Sequence, residues 1–334
     1  MVKAVRCWRM GLIATARTGQ TDAMRDFRFS FNIFAVDSHD TFAATCRRAE
    51  QHGYDTVFAC DHLGTPAPFP LLVAAAQATV HLRVGTLVLN VAFWNPALLA
   101  REVATTDILT GGRLELGLGA GHMKWEFDQA GIVWEPLATR VDRLVTMITE
   151  LGRLFTADVA RSAAGMTAPR PVQRRGFGGS GPPLIVGGTG NRILRLAAEH
   201  ADIVSIAGLH QVKGKPPGTF RLATAAEAEE RVRFAHAHAG QRADQVEWHL
   251  LVQAVVETDD RRATAKALIE RLQGDMTVED ALATPFLLIG TAEEMAEQLV
   301  HSRERYGFSY ITVHEPYMKA FAPVIERLNS RPTA

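Results

Sequence analysis

From residue 27 onward the chain repeats one device: a short, almost wholly apolar run followed by a longer segment of helical period. The runs fall at 27–34, 56–60, 82–90, 113–118, 183–187, 202–206, 246–256 and 310–313. Strands that are apolar throughout, rather than alternating, are buried on both faces, as in a parallel sheet whose crossover helices cover it. Eight such units in a chain of 334 residues predict one α/β domain over 25–330, a (β/α)8 barrel with insertions. A doubly wound sheet uses the same βα grammar and stands as the alternative.

Helix boundaries are legible as well. Asn95-Pro96 offers an N-cap followed by proline at the first helical position, where the missing N–H costs nothing, and Gly111 is placed to close that helix in the left-handed conformation. Ser38 can cap a helix that ends at Gly53, and Thr291 with Glu294 forms a capping box. Two stretches read as insertions, 157–181 with Arg161, Arg170, Arg174 and Arg175 among glycines and prolines, and 210–220 with Lys213 and Lys215. Both are expected near the site as lids, with Arg174 and Arg175 as possible grips on an anionic substrate and 157–181 ordering, and resisting proteolysis, when ligand binds. Residues 1–24 carry Lys3, Arg6, Arg9 and Arg17 around an apolar stretch too short for a secretory segment. They are expected to be an extension outside the fold, with Met24 as the functional start.

Charge excludes some partners. Lys plus Arg and Asp plus Glu number 36 each, so no basic field recruits nucleic acid. No apolar run reaches the roughly eighteen residues of a membrane span. Cys7, Cys46 and Cys60 form no CxxC, which argues against a disulfide framework or a thiolate metal site. The expectation is a cytoplasmic protein with a small-molecule substrate, no metal, and a homodimer as a possible assembly.

Three places can carry chemistry. Asp61-His62 follows the second run, and in a barrel the carboxyl end of a strand is where reactive side chains sit; histidine exchanges a proton near neutrality, although a plain turn accounts for the same residues. Gly117-Leu-Gly-Ala-Gly-His122 follows the fourth run. It is neither a dinucleotide fingerprint, since His122 replaces the third glycine, nor a P-loop, but its backbone can approach a flat ligand closely. Gly187-Gly-Thr-Gly-Asn-Arg192 joins the fifth run to a helix, the arrangement of a phosphate site, and it is expected to include a positive φ at Gly190. His236 and His238, two apart on a helix, face different directions and read as solvated.

In this order and spacing, Phe58-Ala-Cys-Asp-His62, Leu82-Arg-Val-Gly-Thr86, Asn95-Pro-Ala-Leu-Leu-Ala-Arg-Glu102, Leu109-Thr-Gly-Gly-Arg-Leu-Glu-Leu-Gly-Leu-Gly-Ala-Gly121, Pro183-Leu-Ile-Val-Gly-Gly188, Leu288-Ile-Gly-Thr-Ala-Glu-Glu294 and Tyr306-Gly-Phe-Ser-Tyr310 resemble the bacterial luciferase-like flavin and deazaflavin oxidoreductases. The likeness runs from Phe27 to about Leu328 and implies a (β/α)8 barrel. Asp-His after the second strand is similar to the branch that uses coenzyme F420. The resemblance implies His62 as the acid/base or electrostatic partner of hydride transfer, with Asp61 as a cofactor contact. It implies a bulge, often with a non-prolyl cis peptide, at Leu87–Val88 followed by Asn90. It also puts Ala120 and Gly121 along the cofactor, and Gly188, Thr189, Gly190, Asn191, Arg192 and Ile193 on its phosphate. Glucose-6-phosphate dehydrogenases of this branch have a glutamate where this chain has His122, and a tryptophan where it has Pro66. The implied reaction is therefore reduction of a C=C or C=N bond, with His62 or His122 giving the proton, rather than sugar-phosphate oxidation. An FMN-dependent monooxygenase of the same fold is the nearest alternative, and a non-enzymatic cofactor-binding barrel a more distant one.

Overall fold

The structure is a computed structural model, and it describes residues 25–156, 168–272 and 276–330. The expectations for residues 1–24 and Met24 therefore lie outside the described residues. Eight parallel strands form the barrel: β1 (Arg28–Ile33), β2 (Thr56–Ala59), β3 (Arg83–Thr86), β4 (Leu114–Gly119), β5 (Leu184–Gly187), β6 (Ile203–Ile206), β7 (Glu247–Leu251) and β8 (Phe308–His314). Neighbours pair in sequence order, β8 pairs with β1, and the ring is closed by β3 on β4 through Val84↔Leu114 and Gly85↔Glu115. The doubly wound alternative has no such closure.

Between the strands run α1 (His39–Gln51), α2 (Pro68–Ala78), α3 (Pro96–Leu109), α4 (Lys124–Gln129), α5 (Leu137–Thr156), α6 (Asn191–His200), α7 (Ala225–Ala239), α8 (Arg261–Leu272), α9 (Val278–Ala283), α10 (Ala292–Tyr306) and α11 (Met318–Ser330). The capping signals act as read. Asn95 Oδ1 accepts from Ala97 N–H at 2.9 Å, Ser38 closes a capping box on α1, and Thr291 with Glu294 does so on α10. Gly111 follows α3 with φ 63°. Strand residues facing outward meet the surrounding layer: Phe29 packs edge-on to Phe321 of α11 at 5.8 Å, and Phe31 to Tyr54, between α1 and β2, at 5.4 Å.

Two runs are divided where a single strand was expected. The 82–90 run breaks after Thr86 at a cis Leu87–Val88 peptide, and Leu89–Asn90 then pairs with the end of β4. The 246–256 run leaves the barrel after Leu251; Ala254–Glu257 pairs instead with Leu287–Gly290 in a separate two-stranded sheet packed on α8 and α9. An unbroken apolar run does not distinguish one buried strand from two.

Inside the ring, the amino-terminal end is polar. Glu115, 1% exposed, accepts from Arg28 at 2.5 Å and Arg83 at 2.6 Å on one oxygen, and from the Tyr310 hydroxyl at 2.9 Å on the other. Arg28 also reaches Glu247 at 2.8 Å.

Residues 157–167 of the first insertion, with Arg161, lie outside the described residues; the remainder lies against this base, away from the Asp61-His62 end. Within its described part, 168–181, Val172 and Gln173 N–H donate to Asp107 Oδ2 at 2.7 and 3.0 Å, and Gln173 Nε2 donates to the carbonyl of Leu114, the first residue of β4, at 2.7 Å. Arg174 donates to the Gln173 carbonyl at 2.9 Å. The lid expectation fails here for a topological reason: a segment between α5 and β5 is an αβ connection, and those close at the amino-terminal ends of the strands. Arg174 and Arg175 are accordingly not placed to grip a substrate. Limited proteolysis in 168–181 is expected to proceed at the same rate with and without cofactor; protection by bound cofactor would contradict this placement.

Candidate active site

The carboxyl ends of the strands gather the chemical residues. His62 follows β2, and its Nδ1 lies 2.8 Å from Glu126 Oε1, an oxygen that also accepts from Leu63 N–H at 3.2 Å. Glu126 stands on α4 and is 2% exposed. An oxygen already serving as acceptor to a backbone amide fixes the hydrogen of the ring on Nδ1 and leaves Nε2 for a reactant. Glu126 was not among the residues picked from sequence, which noted only that His122 replaced the expected glutamate. The carboxylate arrives four residues later, on α4.

Asp61 Oδ2 accepts from Trp94 Nε1 at 2.8 Å and from Asn90 N–H at 3.1 Å, tying the second strand end to the third. Burial raises its carboxyl above the ordinary range. His122 sits edge-on to His62, ring centroids 5.4 Å apart, with Phe220 at 5.5 Å on its other side. Burial, then the neighbouring His62, lowers the His122 pKa to about 4, so this ring is neutral at pH 7. Phe220 belongs to the second insertion, an antiparallel pair of Leu209–Gln211 with Phe220–Leu222 after β6, which does stand at the mouth.

The wall beside these residues is made of glycine. A Cβ on Gly117 would lie 2.0 Å from the Thr86 carbonyl, one on Gly119 would lie 2.6 Å from Val88, and one on Gly121 would lie 2.6 Å from Asn90 Oδ1. Gly121 has φ 74°, and its carbonyl takes a hydrogen bond from Arg140, whose guanidinium covers the Trp134 ring at 3.7 Å. Leu87, Val88, Asn90, Ala120 and Gly121 are thereby brought together. Asn90 Oδ1 accepts from Ala92 N–H, while its Nδ2 is buried without a partner. The 86–90 segment packed onto these glycines, with an unpartnered donor on Asn90, fits a planar heterocycle.

On the far side, α6 begins one residue after Gly190, with Gly188, Thr189, Asn191, Arg192 and Ile193 around its first turn. Gly190 has φ −79° and open space around its Cβ position, so the expected positive φ is absent. Arg192 pairs with Asp142 at 2.6 Å and Asn191 accepts from Arg231. The remaining histidines read from sequence lie elsewhere: His236 stacks on Trp248 at 3.8 Å rather than being solvated, and the His238 ring bonds the Phe234 carbonyl. Among the described residues, no group of three His, Cys, Asp or Glu is arranged to hold a metal, and no helix is long and apolar enough to cross a membrane.

Known proteins agree with this architecture. The chain is 29% identical over 221 residues to a 5,10-methylenetetrahydromethanopterin reductase of Archaeoglobus fulgidus, covering 66% of this chain and 62% of that protein, so the match spans less than two thirds of the relative. It is 26% identical over 304 residues to an F420-dependent glucose-6-phosphate dehydrogenase of Nakamurella multipartita, covering 80% and 84%. The solved structure of the coenzyme F420-dependent tetrahydromethanopterin reductase of Methanopyrus kandleri superposes with a TM-score of 0.68 at 18% identity, over 90% of this chain and 98% of that one, a likeness of fold. The model of the family described as luciferase-like monooxygenase matches residues 11–310. With a closed barrel, a cis Leu87–Val88 peptide beside the glycine wall, and a family match over most of its length, this chain belongs to the luciferase-like monooxygenase family.

Proposed function

We propose that the chain is an F420-dependent oxidoreductase acting on a small organic substrate, reducing a C=C or C=N bond. The observation that carries this reading is the His62–Glu126 pair standing beside the glycine wall, 2.8 Å between Nδ1 and Oε1. When bound, F420 supplies or accepts a hydride at its C5, and the protein provides binding, orientation and a proton. Gly117, Gly119 and Gly121 let the 86–90 segment close onto the end of β4 and back the ring, and Asn90 Nδ2 is the donor that would meet it. Asp61 holds Asn90 in place through its backbone amide. His62 Nε2 exchanges the proton with the substrate atom that does not take the hydride, while Glu126 fixes the orientation of the ring. His122, neutral at pH 7, lines the site beside His62 and is not the proton donor.

The name of the Nakamurella multipartita relative, an F420-dependent dehydrogenase, supports F420. The family also contains monooxygenases, so FMN with molecular oxygen is the competing reading. An oxygen electrode separates the two. Protein carrying reduced F420 and mixed with air-saturated buffer is expected to consume no oxygen above the free cofactor. Substrate hydroxylation coupled to oxygen uptake when the protein is instead given reduced FMN, beyond the autoxidation of free reduced FMN, would favour the monooxygenase.

The start of α6 is proposed to receive the cofactor's phosphate. Because Gly190 has ordinary φ and free space, Gly190→Val is expected to fold normally and to block access to the helix amides. Affinity for intact F420 is expected to fall by about tenfold or more, and affinity for a form trimmed of its phosphate tail to hold. Equal losses for both forms would remove this turn from phosphate binding. Arg192 can join only by leaving Asp142, an exposed pair whose loss costs about 0–1 kcal/mol.

A further inference from the structure

Where β1 meets β8, parallel register sets three pairs of residues opposite one another: Arg28 with Tyr310, Ser30 with Thr312, and Asn32 with His314. The two-residue period of a strand turns all three pairs to the same side, the barrel interior. The lowest pair is satisfied, with the Arg28 guanidinium over the Tyr310 ring at 4.1 Å and both side chains bonded to Glu115. The middle pair is satisfied too. The Ser30 and Thr312 hydroxyls bond each other, and Thr312 Oγ1 meets His249 Nε2 at 2.6 Å, with His249 Nδ1 at 2.8 Å from Ser205 Oγ.

The uppermost pair is not. Asn32 is 3% exposed and its Oδ1 has no partner among the described residues, and the same holds for the buried Nδ1 of His314. An unpaired buried polar group is destabilising, and here two stand in register above two satisfied layers. Folding alone gives no return for that cost. Their place is the carboxyl end of the barrel, on the strand beside β2 that leads to Asp61 and His62, and across the ring from the glycine wall of β4.

The chemistry of the pair limits the ligand. Asn32 Oδ1 accepts a hydrogen bond. Burial holds the His314 imidazole below its ordinary pKa range, so the ring is neutral at pH 7. The inward residues of the upper two layers, Ser30, Asn32, Thr312 and His314, carry no lysine or arginine to balance an anion. A carboxylate or phosphate finds no counter-charge from them. A neutral group with an N–H or O–H beside a second hydrogen-bonding atom meets both partners.

We infer that Asn32 and His314 form the subsite that anchors the substrate, and that it takes an uncharged lactam, carboxamide or hydroxyl group. Calling the ligand a substrate rests on the oxidoreductase reading above; the hydrogen-bonding specificity does not. The cofactor's own ring has a lactam edge, and the test separates the two sources. δ-Valerolactam is titrated into the protein with and without saturating F420, alongside cyclohexanone, which lacks the N–H, and cyclohexanecarboxylate, which is an anion. Binding is followed by calorimetry and by the 15N shifts of labelled histidine.

The lactam is expected to bind the F420-loaded protein about tenfold tighter than either comparison compound and to shift the His314 resonances. Asn32→Leu, close in size and free of the unpaired oxygen, is expected to erase that preference while F420 affinity stays within about twofold. His314→Gln is the second variant and is expected to weaken the lactam preference in the same direction. Equal affinity for the three probes, or a lactam preference untouched by Asn32→Leu, would overturn the inference. So would a loss of F420 affinity in Asn32→Leu with lactam binding unchanged, since the pair would then belong to the cofactor. Failure of the unmodified protein to bind F420 would sink the oxidoreductase reading instead, and the lactam arm without cofactor still reads Asn32.

Discussion

His62→Ala is expected to lower turnover by roughly 10²–10⁴-fold while leaving cofactor affinity nearly unchanged. The size follows from what the side chain does. Its Nδ1 is committed to Glu126, so Nε2 is the atom offered to a reactant, and general acid–base catalysis at a positioned group is worth that range. The affinity expectation follows from the separate location of the wall: the glycines and Asn90 lie on the third and fourth strand ends, and Asp61 rather than His62 fastens Asn90. Single-turnover rates and F420 binding measured on the same preparation check both halves. A variant with full turnover would remove His62 from the reaction, and one that loses cofactor and rate together would make it a binding residue.

The second large effect lies at the other end of the barrel. Glu115→Ala is expected to destabilise the fold by about 3 kcal/mol, because it removes the buried carboxylate that balances Arg83 and leaves Arg28 with Glu247 alone. Burial alone would raise the Glu115 carboxyl, but Arg28 and Arg83 outweigh it and bring the pKa from an ordinary 4.5 to about 2. A carboxyl depressed on folding contributes stability above its unfolded value and loses it as pH falls through the folded one. The advantage of the native chain over Glu115→Ala is therefore expected to be full at pH 7 and to shrink between about pH 4.5 and pH 2. Denaturant midpoints for both proteins across that window test the claim. A difference that stays constant with pH would mean that Glu115 acts by packing and not by charge.

How much of this could be read from the chain depends on which physical signal each feature leaves. The eight barrel strands announce themselves because burial on both faces demands apolar runs, and the caps at Ser38, Asn95 and Thr291 because orphan amides demand particular side chains. The breaks at Leu87–Val88 and after Leu251 leave no such mark, since an apolar run looks the same before and after a strand changes partners. Asp61 and His62 were visible as polar residues at a strand end. Glu126 was hidden, since its role depends on α4 turning it back towards His62; the available hint was a glutamate four residues after His122. Glu115 was a clearer hint that went unread, a lone acid inside Leu114–Gly119, where burial requires a partner charge. The 157–181 insertion was recognised as irregular, but its side of the barrel follows from connection type rather than composition. The Asn32–His314 pair needs register, which no single strand contains.

The most direct measurement of the central claim is an equilibrium titration of the purified protein with F420 and, separately, with FMN, read by the change in cofactor fluorescence. The account predicts saturable F420 binding at least about tenfold tighter than FMN, and about tenfold or more weaker F420 binding when Gly190→Val obstructs the start of α6. Saturable FMN binding with none for F420 would contradict it, and would move the His62–Glu126 pair into an oxygen-using enzyme.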